Sequence, residues 1–298
     1  MITACFRVPA MMSLQNDSRS AMKRYPSVFL VCATMLLVAT PPAHGDVSLE
    51  QIDRKIQRVQ ERYWSEHDEF TSTRDVWGEY TLHMVFRALM AYDRASGKDR
   101  YTAEIMRISD LRGWSADQPI PWRSHPFMNL EADLFAVTRD AAWLESEAIQ
   151  TLDMRNAQCI GEDGLARFYG YEEDPCRVLL IDFVQNYIER LSRAARVLDR
   201  RELAVEAVQQ AAGHASELMT RDGLFLQGRG WLADEDELSP APWSRGQGWI
   251  LLGLTAAWKE LDPWPDLQAT LGEVIQHHAN SLRRWQDDNG FLRFIVDD

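Results

Sequence analysis

Cysteine is scarce: four in 298 residues, and two of them, Cys5 and Cys32, fall within the first 45. The other two, Cys159 and Cys176, bracket a segment rich in glycine and acidic residues. A compartment that permits disulfides would let them pair, and the sequence alone leaves that open. No cysteine or histidine cluster has zinc-ligand spacing, and His277-His278 sits in a stretch of polar helical pattern, so no metal or other cofactor is expected. A membrane-spanning run is lacking too. The most apolar stretch, Ser27 to Thr40, falls short of the roughly 20 residues that a transmembrane helix needs. Positive charge is in deficit, with 32 Lys and Arg against 45 Asp and Glu for a net −13. That balance argues against nucleic acid and anionic membranes as partners. Alternating β-branched runs are few, which argues against a sheet-based core.

What is present begins with a leader. Met22-Lys23-Arg24 is a basic start, Ser27 to Thr40 an apolar centre, and Pro41 to Gly45 a small-residue end. This is the pattern of a secretory signal peptide over 22–45, with 1–21 an upstream extension, and it implies a periplasmic or secreted protein. Residues 46–298 then form a single domain with ample apolar content for one core. Residues 1–45 hold four basic residues and one acidic, so 46–298 carry −16. An anionic substrate would need a local cation to overcome that field.

From Ser48 onward the periodicity predicts about nine helices, near 48–66, 74–96, 99–112, 125–138, 140–156, 178–198, 200–219, 244–261 and 265–286. Short connections alternate with long ones rich in glycine and tryptophan. Asp163-Gly164-Leu165, Asp222-Gly223-Leu224 and Asn289-Gly290-Phe291 recur about every 60 residues. Asp-Gly and Asn-Gly are turn chemistry with positive φ at glycine. A repeated turn means a repeated unit, so the expected fold is all-α, an α/α toroid of helical hairpins, with an open solenoid as the alternative.

Four of the alternate helices begin with polar and aromatic groups, at the ends that converge on one mouth in a toroid. Asp182 follows Val178-Leu179-Leu180-Ile181 and precedes Phe183-Val184. In that setting a carboxyl loses hydration of its charged form, its pKa rises, and it suits a general acid. Stabilising the first turn of a helix is the plainer role for such an aspartate. Pro242-Trp243-Ser244-Arg245-Gly246-Gln247-Gly248-Trp249 places an arginine and two glycines between tryptophans at another helix start. A guanidinium grips a carboxylate in two places, an indole stacks on a sugar ring, and a helix N-terminus favours anions. Gln227 and Arg229 lie in the glycine-rich loop 223–231, Trp77 and Tyr80 sit one turn apart at a helix start, and Asn129 and Glu131 open another helix. Tryptophans buried in a core and an ordinary flexible loop are the plainer alternatives.

Taken in order, Leu180-Ile181-Asp182, the helix Ala204 to Leu218, Asp222-Gly223-Leu224-Phe225 and Trp243-Ser244-Arg245-Gly246-Gln247-Gly248-Trp249 resemble glycoside hydrolase families 88 and 105. These are the unsaturated glucuronyl and rhamnogalacturonyl hydrolases. Ser96-Gly97-Lys98-Asp99-Arg100-Tyr101 is similar to their Thr-Gly-Asp-x-x-Tyr hairpin turn, and the resemblance spans 70–298. It implies an (α/α)6 toroid that needs no metal and releases 4,5-unsaturated uronic acid from the end of lyase-generated oligosaccharides. Asp182 would be the catalytic acid. Trp243, Arg245, Trp249, Gln227, Asn129, Trp77 and Tyr80 would bind substrate. Gln227 stands where the family usually has histidine, and Asn129 (or, less well, Glu131) stands for its second aspartate. Nine helices fall short of twelve, so an incomplete ring that self-associates through its open end is also expected. Two other readings remain at this stage: a uronate-binding protein without turnover, and another toroid sugar enzyme such as an epimerase.

Overall fold

The computed structural model describes residues 50–51, 53–58, 76–111, 115, 130–167, 176–231, 236–288 and 290–297. The expected leader and Asn129 lie outside them, as does much of the first expected helix, of which 50–51 and 53–58 are helical. The described chain then runs α1 (Val76–Ser96), α2 (Arg100–Leu111), α3 (Leu130–Thr138) and α4 (Ala142–Ala157). Helix α5 covers residues 181–197, and includes a π-helical turn at Val184–Ile188. It is followed by α6 (Arg201–Leu218), α7 (Ser244–Glu260) and α8 (Pro265–Trp285). Short strands β1 (Leu179–Leu180) and β2 (Gly228–Arg229) pair antiparallel.

The helices pair as hairpins: α1 with α2, α3 with α4, α5 with α6 and α7 with α8. Three of the four corners are three residues long, at 97–99, 139–141 and 198–200. Each places one residue in the left-handed region, Gly97 at φ 67°, Arg139 at 60° and Asp199 at 52°. One left-handed residue reverses a helix at low cost, and at 139 and 199 a side chain bears that cost. Across hairpins α1 packs on α3, α5 on α4 and α7, and α6 on α8. This is the alternation of inner and outer helices in an α/α toroid.

The repeated turns are built alike. Gly161 N donates to Leu165 O and Gly164 N to Gly161 O; Thr220 N to Leu224 O and Gly223 N to Thr220 O; Asp287 N to Phe291 O and Gly290 N to Asp287 O. Gly164, Gly223 and Gly290 have φ of 77°, 86° and 81°. A long-range glutamine holds each of the first two turns. Gln210 on α6 bonds Ala166 N and Gly164 O, and Gln247 on α7 bonds Phe225 N and O. His278, on a helix of polar pattern, is fully buried, with Nδ1 2.9 Å from Gly223 O. Cys159 and Cys176 form a disulfide with Cα atoms 5.5 Å apart, closing the loop that leads into β1.

Two large apolar cores and a small third cluster lie among the described residues. One gathers Phe86, Met90, Ile105, Leu130, Leu134 and Trp143. The other gathers Leu179, Leu191, Leu203, Ala207, Ile250 and Leu254. Between hairpins lies a buried ionic layer. Arg193 on α5 reaches Glu147 and Glu189 at 2.6 Å and Glu260 at 3.1 Å, Arg87 reaches Asp133 at 2.8 Å, and Arg190 reaches Glu131 at 3.5 Å. Glu131 therefore belongs to this layer rather than to the mouth, two to three turns away from the first turn of α5.

Candidate active site

The site is assembled at a seam between repeats. Pairing sets Leu180 opposite Gly228 and Leu179 opposite Arg229, and Ile181 N donates to Gln227 O at 3.1 Å. The next residue on one side is Asp182, in the first turn of α5; its neighbour across the seam is Gln227. Gln227 Nε2 donates to Asp182 Oδ2 at 2.5 Å. Asp182 keeps part of its side chain open to solvent. Burial raises its pKa, and the opposing pull of the Arg245 charge, the Gln227 hydrogen bond and the helix-start N–H does not restore it. Within that balance the two neighbours steady the carboxyl without fixing it as a carboxylate.

Arg245 lies in the first turn of α7, as Asp182 lies in the first turn of α5. Its guanidinium stands 3.9 Å from the centre of the Trp243 ring, a cation–π stack. Gly246 makes the close approach of α7 and α5 feasible. A Cβ there would come within 2.5 Å of Ile181 Cδ1 and 3.1 Å of Gln227 Oε1. Two buried polar atoms here, Trp243 Nε1 and Gln227 Oε1, have no hydrogen-bond partner among the described residues. A donor and an acceptor left unmatched at one site are what a ligand rich in hydroxyls can satisfy.

The structure thus brings Asp182, Gln227, Trp243 and Arg245 together. Trp249 is one turn further along α7 and largely buried. Trp77 and Tyr80 fall in the first turns of α1, where the backbone alone is described. Arg229, the second arginine of the glycine loop, is engaged elsewhere, with Glu217 at 3.1 Å and Asp236 O at 2.8 Å. Gln247, inside the tryptophan motif, is a structural group and not a ligand contact. Sequence reasoning missed Phe294, whose ring meets that of Trp243 edge-on, 6.4 Å between centroids. The signal was its place four residues after Gly290, as Gln227 is four after Gly223.

A ring of helical hairpins whose helix starts gather one carboxyl, one guanidinium and an indole defines a toroid enzyme acting on sugars. Similar folds are known. A possible member of glycoside hydrolase family 105 from Salmonella enterica superposes with TM-score 0.63 at 19% identity, over 88% of this chain and 73% of the other. A family 105 glycoside hydrolase from C. acetobutylicum gives 0.63 at 12% identity, over 82% and 69%. An unsaturated glucuronyl hydrolase specific for heparin gives 0.55 at 16% identity, over 74% and 60%. None of the curated proteins matches the sequence. The model of Glycosyl Hydrolase Family 88 matches residues 49–298, and the chain belongs to that family. It is a glycoside hydrolase, and its substrate is an oligosaccharide. Among the described residues no helix is long and apolar enough to cross a membrane.

Proposed function

We propose that the enzyme removes 4,5-unsaturated uronic acid from the non-reducing end of oligosaccharides left by a polysaccharide lyase, of pectin or glycosaminoglycan type. The observation that carries this is Asp182 itself: a carboxyl whose pKa is raised by burial while a guanidinium and an amide stand beside it. In the proposed reaction protonated Asp182 gives its proton to C4 of the C4=C5 double bond. Water adds at C5 and returns a proton to the carboxylate, so Asp182 ends as it began. The hemiketal at C5 then opens to a ketone, its ring oxygen taking up the proton of the C5 hydroxyl, and the hemiacetal left at C1 collapses to an aldehyde as the remaining sugars depart as an alcohol. Arg245 pairs with the uronate carboxylate in the first turn of α7, where helix N–H groups also favour an anion. Ordinary glycosidases instead flank the scissile bond with two carboxyls. Gln227 holds Asp182 in place and cannot titrate, so a single proton is in play. The expected leader at 22–45 favours a periplasmic or secreted location.

The test follows the ultraviolet absorbance of the conjugated double bond on unsaturated oligosaccharides. Wild type is expected to consume it, and Asp182→Asn to be slower by at least about 100-fold, the usual share of general acid catalysis. The rate should fall as pH rises through the pKa of Asp182, because the acid form does the work. A folded wild type inert on both pectin- and glycosaminoglycan-derived substrates overturns this reading and leaves a glycoside hydrolase of another specificity.

A further inference from the structure

The seam that joins Asp182 to Gln227 recurs one repeat later. Ser244 N donates to Phe294 O at 3.0 Å, as Ile181 N donates to Gln227 O at 3.1 Å. Trp243 bridges Ile295, as Leu180 pairs with Gly228. Under that superposition Arg245 takes the place of Asp182, and Phe294 takes the place of Gln227. At the first seam the second member touches the side chain that would meet the ligand. At the second, Phe294 stands against Trp243, whose ring carries Arg245.

Phe294 is 65% exposed, while its neighbours anchor the segment. Val296 is 1% exposed and packs with Leu224 and Leu282, and Leu292 packs against the same cluster. A ring needed only to hold the segment would sit among them. It is more exposed than the half-buried Trp243 and Arg245. With Arg245 taking the uronate carboxylate as proposed, an exposed ring set against Trp243 is placed to meet a part of the ligand that extends past the uronate.

We propose that Phe294 is a specificity-determining residue, an aromatic platform for the sugar that follows the uronyl unit, meeting the C–H face of that ring. This rests on the hydrolase reading above. The chemistry required is a pyranose with an apolar face, free of charge there, since Phe294 offers no partner for an anion.

The experiment uses the full chain with Asp182→Asn to block turnover and titrates two ligands by calorimetry: an unsaturated uronyl disaccharide from a lyase digest, and the methyl glycoside of the same uronate. Adding Phe294→Ala is expected to weaken the disaccharide roughly tenfold and leave the methyl glycoside unchanged, the loss of one aromatic contact. Phe294→Tyr should restore disaccharide affinity. In the active background Phe294→Ala should raise KM and spare kcat, with thermal stability unchanged. Equal loss on both ligands, or no loss on the disaccharide, overturns the platform. Wild-type turnover, measured in parallel, reports separately on the hydrolase reading: turnover with unchanged disaccharide affinity sinks the platform alone. Loss of affinity in a wild type that never turns over sinks the hydrolase reading alone. Binding of neither ligand overturns both.

Discussion

A carboxyl whose pKa burial raises is a liability to the fold as pH climbs. Asp182 has a folded-state pKa raised above that of the unfolded chain, so the unfolded state loses its proton first as pH rises. The native state then binds more protons, and stability falls with rising pH through that interval. Asp182→Asn keeps an acceptor for Gln227 Nε2 and removes the ionisation. The variant is therefore expected to melt higher than wild type at pH 7 and at the same temperature below pH 3, which parallel thermal melts would check. A variant less stable at both pH values would mean the carboxylate is a structural charge. Asp182 was legible in the sequence because its apolar neighbours are local. Its contact with Gln227 was not, since it depends on a strand pairing across 45 residues. The buried charges escaped notice for the same reason. Arg190 and Arg193 follow a polar local pattern, and only acids from α3, α4 and α7 reveal that they are buried.

Among the elements, α5 shows how the site is held. Directly after Asp182 the helix widens into the π-turn Val184–Ile188, a feature frequent at functional positions. Helix α7 lies against that turn through Gly253, where a Cβ would come within 2.2 Å of Gln185 Cα and 2.8 Å of its carbonyl oxygen. The obstacle is backbone, with no flexible side chain to swing aside. Gly253→Ala is expected to cost at least about 1–3 kcal/mol, the usual range for overpacking, by denaturant titration. It should also cut activity more than Gly272→Ala, whose Cβ would meet Trp258 at an ordinary 3.4 Å. Equal stability of the two variants would show that α7 can move away from α5 freely. The helices, short corners and repeated turns were readable from periodicity and from Gly164, Gly223 and Gly290. The π-turn was not, because one extra residue in a helical run leaves no mark in an apolar pattern.

At the scale of the whole molecule, two buried histidines make this ring sensitive to acid. His214 is buried on α6 with Nδ1 2.8 Å from Gln210 O, and burial, with Arg167 adding to it, lowers its pKa from 6.5 to about 4. The burial of His278 lowers its pKa as well. A group depressed in the folded state makes the unfolded chain bind more protons between the two pKa values, so stability is full above pH 6.5 and is lost toward pH 4. His214 alone accounts for about 3 kcal/mol across that window at about 1.4 kcal/mol per unit. His214→Gln is expected to flatten the acid limb of a stability profile measured from pH 7 to pH 4.5, at some cost in stability at pH 7. An unchanged slope would move the acid sensitivity to other groups.

The seam between repeats has a further consequence. Asp182 with Gln227 and Arg245 with Phe294 occupy matching places, each set by the start of one helix and the segment four residues after a turn glycine. The backbone link is the same at both, so what differs between them is the pair of side chains that each carries. Such a rim works as a row of interchangeable sockets. On the reading proposed above, a change four residues after a turn glycine would retune what the mouth accepts at that one bearing, while the helices behind it keep their register.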